Sequence, residues 1–360
     1  MTVAMALVLS AAEGRAQTTE WTGAVSTDWS IPANWSSGLP TPASGTAEID
    51  TDLPHPAVID GSSVAARGVT IGLRGPARLE IRNGGVLSNT WGSIGVFSAS
   101  NGSVVVAGSG SRWDASNVVT VAEYGIGTLE ILGGAEAHLD GLLVGLDGGG
   151  PGRRGRGTVT VSGAGSLLTT NWPEIGVFGD YGILNVLDGG RVSAPTDAYV
   201  AGPRRGEVAV RGVGSVFEIG GDLETSWSSG GEASLTVSDG GLLDVSGTII
   251  LPAHANGSAF LNIGAASGEA AAAPGLVEAD GGIVFGAGTG RVVFNHTGAD
   301  HSFAPMLVGA GEIMVEAGRT RLTGDQSGFT GTTSVTGGAL VVDSVLRGTL
   351  GVSQAGRLEG

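Results

Sequence analysis

Short runs along the chain alternate apolar and polar residues, and between Ile71 and Gly264 these runs recur. The copies read RLEIRNGG (78–85), GSVVVAGSGS (102–111), GTLEILGG (127–134), GTVTVSGAGS (157–166), GILNVLDGG (182–190), GEVAVRGVGS (206–215), ASLTVSDGG (233–241) and SAFLNIG (258–264). Their central residues are Ile81, Val106, Ile131, Val161, Val186, Val210, Val237 and Ile263, a span of 182 positions in seven steps of 26 on average. Alternation over three to five residues predicts strands with one buried face.

The copies end in two ways. Odd copies close on Gly-Gly (Gly84-Gly85, Gly133-Gly134, Gly189-Gly190, Gly240-Gly241). Even copies close on Gly-x-Gly-Ser and then a large apolar residue: Ser111 with Trp113, Ser166 with Leu168, Ser215 with Phe217. Glycine supplies the positive φ that tight corners need. A second strand start precedes many copies by about ten residues, at Ile71-Gly72, Ile94-Gly95, Val121-Ala122, Val144-Gly145 and Ile175-Gly176. Two or three short strands per 26 residues, joined by glycine corners, predict one coil of an all-β parallel β-helix. A leucine-rich repeat is excluded because its Leu-x-x-Leu-x-Leu frame is missing. Helical repeats are excluded because no apolar period of 3.6 persists and glycines interrupt every few residues.

Composition narrows the picture. Glycine makes up 67 of 360 residues without a collagen triplet, and 41% of residues are hydrophobic, so the chain is ordered and turn-rich. Aromatics are scarce, which predicts a core of Val, Ile, Leu and Ala ladders. With no cysteine there is no disulfide and no thiolate metal site. A net charge of −16 argues against nucleic acid as a partner. The basic spots Arg153-Arg154-Gly155-Arg156 and Arg204-Arg205 read as solvated loop tips.

In chain order, residues 1–16 read as an export signal without the usual basic start. Residues 17–54 form a Trp-rich segment with Trp21, Trp29 and Trp35. These indoles could stack on sugar rings, but a cap over the open end of the first coil is the favoured reading. Residues 55–317 are the repeat array. Within it Trp91 and Trp172 stand three residues before similar Ile-Gly-Val-Phe strings, and like-on-like stacking between coils is favoured over a glycan-binding stripe. Insertions at 147–157 and 268–275 read as flexible excursions. Residues 318–360 add one or two further coils.

No catalytic frame stands out: there is no His-Glu-x-x-His, no phosphate loop, and the recurring serines have no recurring histidine, so they read as turn residues. His296, Asp300 and His301 carry metal-ligating side chains within six residues, but a surface loop is the preferred reading of that stretch. No catalytic residue, metal ligand or cofactor is assigned, and no binding residue is named.

The stretch 318–342 resembles the passenger-associated transport repeat of bacterial autotransporters, through Leu322-Thr323-Gly324-Asp325, Ser327 to Thr333 and Gly337 to Leu340. The opening Trp21-Thr22-Gly23 through Asn34-Trp35 is similar to the head of the same exported proteins. The resemblance implies a right-handed, single-stranded parallel β-helix passenger, exported through the periplasm to the cell surface, the outer membrane or the extracellular space. The family's C-terminal β-barrel is not seen in this sequence, so a translocator is expected in cis beyond residue 360 or in trans. The expected role is a monomeric, non-enzymatic adhesin or display stalk whose partner is a ligand on a host or neighbouring cell. The alternatives are a polysaccharide-cleaving enzyme and a self-associating biofilm matrix protein.

Overall fold

The computed structural model describes residues 18–43, 45–146 and 155–359. The export signal expected at 1–16, Arg153 and Arg154, and most of the 147–157 insertion lie outside the described residues.

The alternating runs stack. Among the described residues, thirteen strands, from Ala57–Asp60 through Pro76–Arg82 and Asn101–Ala107 to Thr349–Val352, form one sheet in which every pairing is parallel. At about 4.8 Å per strand the sheet is a rod roughly 55–60 Å long. The central residues of the eight copies are direct register partners: Ile81 faces Val106, Val106 faces Ile131, and the column continues through Val161, Val186, Val210 and Val237 to Ile263. It extends at both ends, from Ile59 below to Phe294, Val315, Val335 and Val352 above. The expected parallel β-helix is the fold of this chain.

Among the described residues, the last coils feed a four-stranded parallel sheet of His301–Phe303, Arg319–Leu322, Ala339–Val342 and Arg357–Glu359, while most coils turn into a second, bent sheet of eighteen strands. In early coils this wall is two pieces, such as Val86–Asn89 and Trp91–Ile94, and both pair with the single strand Arg112–Val121 of the next coil. The second ladder seen in the sequence lies here: Ile71, Ile94, Val121, Val144 and Ile175 are successive partners. The residue after each takes positive φ, at Gly72, Gly95, Ala122, Gly145 and Gly176. That kink sends the chain back toward the long-strand sheet.

Residues facing inward from these sheets form one continuous core. It is mainly aliphatic, with Trp113 and Phe217 buried in the wall that follows the Gly-x-Gly-Ser turns. Trp113 donates its indole N–H to Asn89 Oδ1 at 2.6 Å, which satisfies the one polar atom the ring brings inside.

The two kinds of turn are partners across coils. In the odd turns, Asn83-Gly84, Gly133-Gly134, Asp188-Gly189 and Asp239-Gly240 are consecutive positive-φ pairs, the conformation for which Asn-Gly and Asp-Gly are selected. Such a turn points N–H groups at the next coil. The Ser111, Ser166 and Ser215 hydroxyls accept from Gly84, Gly134 and Gly189 at 3.0–3.1 Å. The alternating endings are therefore complementary halves of one contact, and the recurring serines are turn residues.

Candidate ligand-binding groove

The residues singled out in the sequence fall into distinct environments. Trp21, Trp29 and Trp35 are buried and meet edge to face, with centroids 5.0 Å apart for Trp21–Trp35 and 4.7 Å for Trp29–Trp35. The Trp21 and Trp35 N–H groups donate to His55 O and Trp29 O, both at 2.8 Å. With rings only 1–4% exposed, they offer no face to a sugar.

Trp91 and Trp172 do not stack on like residues. Each lies over a glycine of the preceding coil: a Cβ on Gly68 would meet the Trp91 ring at 2.3 Å, and one on Gly141 would meet Trp172 at 2.3 Å. The coils between them place Gly141, and not an aromatic, in that column, so the ring finds a flat slot instead of a ring.

Residues 297–300 form the expected surface loop, but the histidines that flank it, His296 and His301, are buried. His296 is fully buried and its Nε2 lies 2.8 Å from the Thr320 hydroxyl, while its Nδ1 accepts from Gly298 N–H. His301 packs against it with ring centroids 5.0 Å apart, and its Nε2 has no partner. Burial, with the neighbouring His301, pulls His296 down to about 4, and burial lowers His301 as well. Asp300 points away and pairs with Arg319. Among the described residues no group of three or more His, Cys, Asp or Glu is arranged to hold a metal ion.

Arg205 is not a loop tip either. It opens the strand Arg205–Arg211, pairs with Glu207 at 2.6 Å and lies over the Tyr181 ring at 5.4 Å. Burial, helped by the hydrogen bond to Glu207, pushes the Tyr181 phenol up to about 12.

That strand forms part of the floor of a cleft of about 520 Å³, within the usual range for small-ligand sites. The floor is the outer face of three neighbouring long strands, Tyr181–Leu187, Arg205–Arg211 and Glu232–Ser238. One wall is the segment 264–272, which overlaps the 268–275 insertion that the sequence presents as a flexible excursion. It is instead tied down along its length. Asn295 Nδ2 donates to Ala266 O and Glu269 O, both at 2.9 Å, and Gly268 N–H donates to Glu316 at 2.9 Å. At its far end Asp239 N–H and Gly240 N–H donate to Ala273 O and Pro274 O. The latter two carbonyls stand where a strand-end carbonyl and a serine hydroxyl serve the earlier odd turns.

The floor is polar and the wall is lined with methyl groups. Asn185, Ser234 and Thr236 point outward between Ile183 and Ala209, and Ala265, Ala266, Ala270 and Ala272 face them. This cleft is not legible in the sequence, because outward polar residues on a strand look the same whether or not a distant loop folds over them.

A second flank carries carboxyls. Glu174, Tyr199 and Glu224 are register neighbours on three successive coils, and burial raises both glutamates above the ordinary carboxylate range. Trp227 sits beside Tyr199 and Phe178 with centroids 6.4 and 5.8 Å away.

Over 272 residues, 72% of the chain, the sequence is 31% identical to the adhesin BmaC autotransporter of Brucella suis biovar 1. Its repeat array is that of an autotransporter passenger. Two Escherichia coli K12 proteins are also similar to this passenger. The uncharacterized protein YuaQ is 29% identical over 49% of the chain, and the uncharacterized lipoprotein YdeK is 32% identical over 48%. The chain spans only 8–13% of the length of these relatives. No protein-family profile matches it. Among solved structures, a hyper-glycosylated TibA fragment is similar at 15% identity and a TM-score of 0.31, covering 84% of this chain and 99% of the fragment. No helix among the described residues is long and apolar enough to cross a membrane.

Proposed function

We propose that this passenger is a non-enzymatic, exported adhesin segment that acts at the cell surface both as a stalk and as a ligand-binding face. One observation carries the reading: an unbroken parallel stack bears a preorganised cleft on its flank, held open by an anchored loop. A stack in which every coil hydrogen-bonds the next gives length and stiffness for little sequence, and an excursion from such a stack is where specific contacts are made. The similarity to a protein named as an adhesin autotransporter supports the same role. The partner is a ligand on a host or neighbouring cell, and the translocator is an outer-membrane barrel in cis or in trans.

Displaying the chain on a non-adherent bacterium and counting attached cells on epithelial and matrix-coated surfaces tests this. Attachment above that of the empty display system is expected. Equal attachment in both overturns the adhesin reading.

Glu174 and Glu224 support a second reading, polysaccharide cleavage, because two carboxyls with raised pKa on one face are the groups that acid catalysis uses. Release of reducing ends from glycans by the purified chain, lost in Glu174→Gln and Glu224→Gln, would favour it.

A further inference from the structure

We infer that the cleft over Asn185 and Ala209 binds a short neutral saccharide; the inference rests on the adhesin reading and names the class of its ligand.

The argument begins with what the cleft leaves unengaged. Arg205 is occupied by Glu207, and Asp239 accepts a hydrogen bond from the Ser238 hydroxyl at 2.9 Å. Ser234 and Thr236 are already approached by the Asn262 amide. Among the described residues, Asn185, Arg211 and Glu269 line the cleft with side chains that have no hydrogen-bond or ion-pair partner. They supply one amide, one guanidinium and one carboxylate, so both donors and acceptors are offered and the unengaged charges cancel. A sugar hydroxyl both donates and accepts, and adjacent hydroxyls match that mixture. A polyanion would meet three carboxylates against two arginines along the lining, and the chain as a whole carries −16.

The shape agrees. The methyl groups of Ala265, Ala266 and Ala270 give an apolar wall for the C–H face of a pyranose, opposite the floor that carries Asn185 and Ala209. An extended peptide is a poorer occupant. The floor is the face of a sheet whose backbone groups are consumed in the ladder between coils, and strand addition requires a free edge. Anchoring of the wall by Asn295 and Glu316 means that little ordering entropy is lost on binding.

The test is titration of the purified chain against arrayed neutral di- to tetrasaccharides, sialylated and uronate-containing glycans, and peptides, with hits measured by calorimetry. The expected result is binding of a neutral glycan that is insensitive to salt between low and physiological ionic strength. Ala209→Trp, which fills the cleft from an outward position, should abolish it, and Asn185→Ala should weaken it about tenfold or more. Both variants keep the wild-type melting curve, because neither side chain faces the core. Binding restricted to anionic glycans and weakened by salt, binding of peptides alone, no binding of any class at millimolar concentration, or neutral-glycan binding unaffected by Ala209→Trp would each overturn the inference. The display assay separates this from the broader reading: attachment that survives Ala209→Trp leaves the adhesin standing and removes the saccharide cleft.

Discussion

The Ser215 hydroxyl accepts a hydrogen bond at 3.0 Å from the backbone N–H of Gly189, 26 residues earlier, and donates one at 2.6 Å to Arg211 O. A single buried side chain thus closes its own turn and satisfies the turn beneath it. Ser166 repeats the arrangement, accepting from Gly134 N–H and donating to Ser162 O.

Replacing Ser166 or Ser215 with alanine leaves the Gly134 or Gly189 N–H without its partner at a part-buried site, while Ser162 O and Arg211 O still accept from the N–H groups of Gly133 and Asp188. Each change should cost about 1–3 kcal/mol. A fall in the urea midpoint, with faster amide exchange at Gly134 or Gly189, checks it. Unchanged exchange at those glycines would show that the hydroxyl is dispensable.

Gly141→Ala should destabilise through contact with the Trp172 ring, since the new Cβ would lie 2.3 Å from it. Overpacking of this kind costs about 1–3 kcal/mol. The double variant Gly141→Ala, Trp172→Ala should recover most of the loss, which thermal melts of the four proteins would measure.

Trp29→Ala removes a ring that is 1% exposed and packed edge to face on Trp35. The expected cost is about 3–5 kcal/mol, and it should be local, because stability in a stack is passed between neighbours. Exchange protection should fall in Thr46–Ile49 and Ala57–Asp60 and persist around Val237.

The buried histidine pair makes the upper coils acid-labile. His296 and His301 titrate below their ordinary value in the folded chain, so the unfolded chain binds more protons in the interval between. Stability is therefore complete above about 6.5 and falls as the pH drops toward about 4, where His296 itself protonates. The loss from His296 alone is on the order of 3 kcal/mol, and His301 adds to it. His301→Phe removes a buried nitrogen that has no partner and one of the two titrating groups. It should hold the neutral-pH melting temperature and shrink the acid-dependent drop, as melts from pH 7 to 4 would show.

Much of the architecture was written in the period. Ile81 through Ile263 could be aligned by eye, and each proved to be the direct partner of the next, because a stack buries the same position in every coil. The alternation of Gly-Gly with Gly-x-Gly-Ser was legible as a pattern, though its meaning required the two turns to be seen in contact. What escaped was whatever depended on a break in the period. Glu269 to Ala273 carries no alternation, and its anchors, Asn295 and Glu316, lie on later coils. The stretch from His296 to His301 has the composition of a turn, yet His301 pairs in register with Thr320 and so points inward. The tryptophan slots were hidden for a similar reason: Gly68 and Gly141 look like turn glycines until the next coil supplies the indole.

The turn at Asp239-Gly240 shows what the odd turns permit. Its two N–H groups are met by Ala273 O and Pro274 O from a loop, while the same groups at Gly133-Gly134 are met by Ser162 O and the Ser166 hydroxyl from the following coil. The socket is the same and the plugs are interchangeable. An arm can therefore be grafted at any Asx-Gly rung by trading a hydroxyl for a carbonyl, so a rod of this kind can acquire a new grip without being rebuilt beneath it.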